Sequence, residues 1–137
     1  MGTVLRMVDR DGFRAWIEAY ERLWRTPGTA GLRELFTEDA DYRHSPYGEP
    51  VAGLADIERD WDAERDGPGE AFTMAAEIIA VDGDTGVAKV LVRYGDPVTQ
   101  EYQDLWLVRF AADGRCRSYE EWPFWPDQPW YNTATEA

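Results

Sequence analysis

An α+β fold, with three N-terminal helices packed on one face of a mainly antiparallel sheet, is predicted by three features of the chain. Before Glu70 the apolar residues recur mostly at helical spacing, and after it they fall into strand-like runs. Helices first and strands afterwards indicate layers of the two kinds rather than alternating βα units. The third feature is the stretch Gln100 to Trp125, which reads as two long strands around a turn at Ala111 to Gly114. Asp113-Gly114 after two small residues suits a type I turn closed by a left-handed glycine.

The elements follow in order. Asp9 or Asp11 can cap a first helix, in which Phe13, Trp16, Ile17, Tyr20 and Leu23 form one apolar face. Thr26-Pro27-Gly28 stops it. Thr29 is a natural cap for a second, shorter helix carrying Leu32, Leu35 and Phe36 and ending in the turn Glu38-Asp39. Ala40 to His44 reads as a short strand, followed by a loop from Ser45 to Pro50. Gly53 opens a third helix with Leu54, Ile57 and Trp61 on its buried stripe, and Asp66-Gly67-Pro68-Gly69 ends it. The acidic remainder of that helix, Asp56, Glu58, Asp60, Asp62 and Glu64, reads as a solvated face. Ala71 to Val81 and Val87 to Tyr94 are strands around a turn-rich connection. Gly95-Asp96-Pro97 breaks the chain before the hairpin. Pro123, Pro126 and Pro129 end pairing, and Asn132 to Ala137 reads as a frayed tail.

With Phe110 opposite Cys116 and strict two-residue steps, the hairpin has two faces. One carries Asp104, Trp106, Val108 and Phe110 with Cys116, Ser118, Glu120 and Trp122. Its turn end is apolar, as a helix-packed sheet requires. Its far end mixes two carboxylates with two indoles, which fits either a pocket wall or a solvated sheet edge. The other face carries Leu105, Leu107 and Tyr119 among Arg109 and Arg117, an apolar patch rimmed by charge that suggests a sheet-to-sheet homodimer.

Composition narrows the function. With 137 residues, 44% hydrophobic and 14% aromatic, the chain reads as one domain spanning 1–137. A net charge of −13 argues against nucleic acid and against anionic membrane surfaces. One cysteine excludes an intramolecular disulfide and fits a reducing compartment, so a cytoplasmic protein is expected. No run has the length of a signal peptide core or a membrane span.

Laid out this way, the chain resembles the SnoaL-like branch of the nuclear transport factor 2-like superfamily. The resemblance is carried by Leu35 to Tyr42, by Pro50 to Ile57 with Trp61, by Tyr102 to Phe110, and by Asp113 to Cys116 with Glu120, Glu121 and Trp122. It spans roughly residues 9 to 126, the expected core. It implies a cone in which a curved sheet wraps the helices around a pocket, often in a dimer. Family members include isomerases, dehydratases, epoxide hydrolases and polyketide cyclases that use acid–base chemistry, along with proteins that only bind. An Asp–Arg–Asp arrangement of the epoxide hydrolase type would need Arg93 between two inward carboxylates. Asp104 is one candidate, and the second is not identifiable.

His44 is the only histidine, which excludes a multi-histidine metal site, and no spacing suggests a carboxylate one. It is the best proton carrier near neutrality, two residues past Tyr42 on the same side of its strand. The expected site therefore joins His44, Asp104, Glu120 and Tyr42 as acid–base groups with Trp106, Trp122, Trp16, Tyr20, Trp61 and Arg93 as ligand contacts. No metal or cofactor is expected. Asp104 and Glu120, diagonal across the hairpin, should repel each other and raise at least one carboxyl pKa, unless Arg93 lies between them. Three functions stay open: a pocket that binds a small apolar or cyclic metabolite, a cofactor-independent acid–base enzyme, and a structural dimer.

Overall fold

The computed structural model describes residues 8–65 and 71–128. Helix α1 spans Arg10–Trp24, α2 Leu32–Leu35, and strand β1 Phe36–Arg43; β2 is Val51–Ala52 and α3 is Leu54–Glu64. Four long strands follow: β3 Phe72–Asp82, β4 Thr85–Tyr94, β5 Gln100–Phe110 and β6 Cys116–Phe124. They form one six-stranded sheet in the order β2-β1-β6-β5-β4-β3. β1 runs parallel to β6, and the other neighbours are antiparallel. The α+β class is as expected.

Asp9 caps α1 by accepting a hydrogen bond from the Gly12 N–H at 2.7 Å, which satisfies one of the free donors at the helix start. The helix buries Phe13, Trp16, Ile17 and Tyr20 against the sheet. Phe13 packs directly against Gly86 of β4. A Cβ on Gly86 would lie 2.5 Å from two Phe13 ring carbons, and Phe13 is itself fully buried. Gly86→Ala should therefore cost about 1–3 kcal/mol through overpacking. Chemical denaturation measures this, and an unchanged midpoint would mean that Phe13 has room to move.

The second helix is shorter than expected. It has no side-chain cap, and Thr29 donates instead to Glu58 at 3.1 Å. Phe36 leaves the helix to pair with Cys116, and Glu38 and Asp39 lie in β1 rather than in a turn. Here parallel pairing with β6 overrides a helical spacing only one turn long. Pro123 also stays within β6, opposite Asp104. The expected stop of α3 at Asp66 to Gly69 and the tail from Asn132 lie outside the described residues.

The decisive difference is in the hairpin. Phe110 pairs with Cys116 as expected, but Arg109 pairs with Ser118, so Arg117 is an extra residue on β6. Its guanidinium donates to Asp84 at 2.8 Å. Beyond this bulge every β6 residue changes face. Tyr119, fully buried, turns inward in place of Ser118 and packs against Tyr20, Tyr42 and Trp106. Glu121, opposite Trp106, turns inward in place of Glu120, which lies opposite Leu107 on the outer face. The outer patch accordingly consists of Leu105, Leu107 and Trp122 and not Tyr119.

Candidate functional site

At the end of the sheet away from the hairpin turn, the inner face and the helices leave a cavity of about 520 Å³. Three strands supply its polar side: Asp104 on β5, Glu121 on β6, and Tyr42 on β1, with His44 one residue beyond β1. Helix α3 adds Asp60 and Trp61, and α1 adds Tyr20 and Trp24. The opposite wall, from β3, β4 and β5, is apolar and aromatic, including Phe72, Met74, Val92 and Tyr102.

The polar groups form a chain. His44 Nε2 lies 2.9 Å from Asp60 Oδ2, and Nδ1 lies 3.8 Å from Glu121 Oε1. The Tyr42 hydroxyl donates to the same Glu121 oxygen at 3.4 Å and lies 3.3 Å from the Tyr20 hydroxyl. Asp104 is buried and accepts from Trp106 Nε1 at 3.4 Å through Oδ2, while its Oδ1 has no donor facing it among the described residues.

This arrangement sets the protonation states. Burial, followed by a hydrogen bond and charge repulsion from Glu121, pushes the Asp104 carboxyl up to about 9. In that protonated state Asp104 is a hydrogen-bond donor toward the Glu121 carboxylate. Burial also pushes Glu121 upward. Hydrogen bonds from His44 and Asp104 outweigh it and hold Glu121 below its ordinary value. The Glu121 carboxylate, opposed by burial and helped by Asp60, raises His44 to about 9. Burial pushes the Tyr20 and Tyr42 phenols well above their ordinary value, so both are neutral donors. At neutral pH the site holds a carboxylic acid, a carboxylate and an imidazolium in contact, with the means both to give and to take a proton.

Six of the ten expected site residues line the cavity: Tyr42, His44, Asp104, Trp106, Tyr20 and Trp61. Four do not. Glu120 and Trp122 lie on the outer face because of the Arg117 bulge. Trp16 is buried in the core, its Nε1 donating to the Leu35 carbonyl at 3.1 Å. Arg93 is exposed on the outer face and paired with Glu101 at 2.7 Å, so no arginine separates the carboxyls. The sequence reading missed Glu121 and Asp60. Asp60 sits beside Trp61 and three residues after Ile57, a position flanking the buried stripe that marks it apart from the solvated acids. His44, Asp60 and Glu64 bring their polar atoms within 4.8 Å of one another. With the imidazole protonated, this group is an ion-paired cluster at the cavity rim.

The model of the SnoaL-like domain family matches residues 13–119. The chain belongs to this family, within the nuclear transport factor 2-like superfamily. No curated protein matches its sequence. Among solved structures, this SnoaL-like chain is similar to a nuclear transport factor 2-like protein of unknown function from Mesorhizobium loti. They share 22% identity and a TM-score of 0.64, over 89% of this chain and 99% of that one. It is also similar to SalBIII, an epoxide hydrolase/cyclase-like enzyme of pyran ring formation in the polyether salinomycin. That match has 13% identity and a TM-score of 0.68, over 85% of this chain and 93% of that one. A computationally designed 17-OHP binder matches at 13% identity and a TM-score of 0.65, over 83% and 93%. At these identities the likeness concerns the fold alone, and the three helices on a six-stranded sheet agree with the cone of the superfamily.

Proposed function

We propose that this SnoaL-like domain is a cofactor-independent acid–base enzyme acting on a small, largely apolar metabolite in its cavity. The observation that carries the reading is the placing of the Asp104 and Glu121 carboxyl groups, one pushed up and the other held down, beside His44 in the wall of a cavity otherwise lined mainly by aromatic and apolar groups. Paired groups whose environments push their pKa values apart are how one site holds an acid and a base at one pH. Glu121 takes a proton from the substrate, and Asp104 gives its own to the substrate oxygen or carbon that receives charge. The site then carries Glu121 protonated and Asp104 ionised, and the proton returns across their hydrogen bond. His44, held by Asp60, keeps Glu121 ionised before the step. Reactions of this form include isomerisation, dehydration and ring closure. Glu121→Gln and Asp104→Asn should each lower turnover of a substrate found in a panel of enolisable ketones, hydroxyketones and epoxides by roughly 10²–10⁴-fold. Full activity of Glu121→Gln would sink the assignment.

A second reading is a binding protein without turnover. The designed 17-OHP binder supports it, since a protein of the same fold binds a small molecule without any stated chemistry. In that case a ligand retained by both variants would be recovered unchanged from the wild type.

The proposed setting is a cytoplasmic homodimer. Leu105, Leu107 and Trp122 on the outer sheet face are partly exposed among Arg109 and Glu120. Leu107→Glu should turn a dimer into a monomer in analytical ultracentrifugation, and a monomeric wild type at micromolar concentration would remove the proposal. No helix among the described residues is long and apolar enough to cross a membrane.

A further inference from the structure

The charge inventory of the cavity bears on which ligand it accepts. Among the described residues, the lining holds the carboxyl groups of Asp60, Glu64, Asp104 and Glu121. It includes no lysine or arginine, and its single basic group is His44. With Asp104 neutral, three carboxylates face one imidazolium, which leaves the lining negative. The chain around it carries a net charge of −13, which adds to the potential at the mouth.

The rest of the wall suits the same kind of ligand. Trp61, Trp106, Trp125, Tyr94 and Tyr102 all line the cavity. Aromatic faces attract a cation through their quadrupole, and rings gathered around a pocket are a common way to hold a substituted ammonium group. The outer side of this wall already works in this way. The Arg25 guanidinium lies 3.8 Å from the Phe72 ring centroid, and that of Arg65 lies 5.6 Å from Trp61 and 5.8 Å from Trp24. Both arginines lie outside the lining and are paired, Arg25 with Glu21 and Arg65 with Asp62. Neither is placed to receive an anion from inside.

We propose that the cavity selects a ligand with one positively charged nitrogen, a protonated or substituted amine, on an apolar body. The nitrogen sits at the Asp60, Glu64 and Glu121 side, and the apolar body lies along the aromatic wall. An anionic ligand meets carboxylates with no lysine or arginine in the lining to match it. A neutral one gains the wall but not the charge. The inference rests on the proton-transfer reading only for the neutral state of Asp104, since an ionised Asp104 would make the lining more negative still.

Three probes of nearly equal shape test it: 4-phenylbutylamine, 4-phenylbutanol and 4-phenylbutyrate, titrated near neutral pH and physiological salt with tryptophan fluorescence and calorimetry as readouts. The amine should bind at least about tenfold more tightly than the alcohol, and the carboxylate more weakly than either. Glu64→Gln, which removes one carboxylate from the rim cluster with His44 and Asp60, should reduce the preference of amine over alcohol by about two- to threefold. Equal binding of the three, tighter binding of the alcohol or carboxylate, or no amine binding up to millimolar concentration would overturn the proposal. Carboxyl titration by NMR keeps the two ideas apart. A raised Asp104 pKa together with preferred alcohol binding removes the cationic ligand and leaves the acid–base pair standing.

Discussion

Trp61→Ala should lower the unfolding free energy by about 3–5 kcal/mol. Trp61 is almost fully buried on α3, and its ring meets Tyr20 and Trp24 edge-on with centroids 4.9 Å away in both cases. Tyr20 in turn packs on Trp106 at 4.7 Å, so Trp61 ties α3 to α1 and, through it, to the sheet. The indole N–H has no acceptor among the described residues, so the loss comes from packing and not from a broken hydrogen bond. The fluorescence and circular dichroism transitions in urea measure it. A change below about 1 kcal/mol would show that the ring contributes cavity wall but no support.

The second large effect is a stability that falls as pH rises. Asp104 has an ordinary value of 3.8 and stands near 9 in the folded chain, so above 3.8 the folded protein keeps a proton that the unfolded chain releases. Each retained proton lowers stability by about 1.4 kcal/mol per pH unit of increase. His44 acts in the same direction over a narrower window. The stability it contributes is fully present below 6.5, its ordinary value, and is lost as pH rises through about 9. Between pH 5 and 6.5 the Asp104 contribution stands nearly alone. Wild-type stability should drop there by about 2 kcal/mol, and Asp104→Asn should flatten the slope. Glu121, held below 4.5, works the other way. Its stabilisation is present above 4.5 and is lost as pH falls through the lower folded value. Equal slopes for wild type and Asp104→Asn would mean that Asp104 is ionised in the folded protein.

Most of the fold was legible in the sequence because its local signals agree with its packing. The Asp9 cap, the α1 stripe, Gly53 before α3 and the Asp113-Gly114 turn each serve the same tertiary arrangement. The site was half legible. Strict alternation carried Asp104 and Trp106 to the inner face correctly, since β5 has no bulge before Arg109. On β6 the extra residue Arg117 transferred the role from Glu120 to Glu121. Nothing local in Arg115-Cys116-Arg117-Ser118 announces it. The gain is tertiary, because the bulge places Tyr119 rather than Ser118 in the core. Phe36 is a similar case, a helical position by spacing that the parallel pairing with Cys116 takes into a strand. Asp60 was hidden among four other acids, and only its place next to Trp61 separates it from them. Arg93 was placed inward to satisfy a family arrangement, while its own strand, with buried Val90 and Val92 on the alternate positions, turns it outward.

The pairing of Asp104 with Glu121 is the centre of this account, and carbon-13 NMR titration of the side-chain carboxyls tests it most directly. One carboxyl of the pair should titrate near 9 and the other below 4.5, with the Asp104 resonance lost in Asp104→Asn and the high value falling toward the ordinary range in Glu121→Gln. Two values at or below the ordinary carboxyl range of about 4 would contradict it, leaving the cavity with bases and no acid.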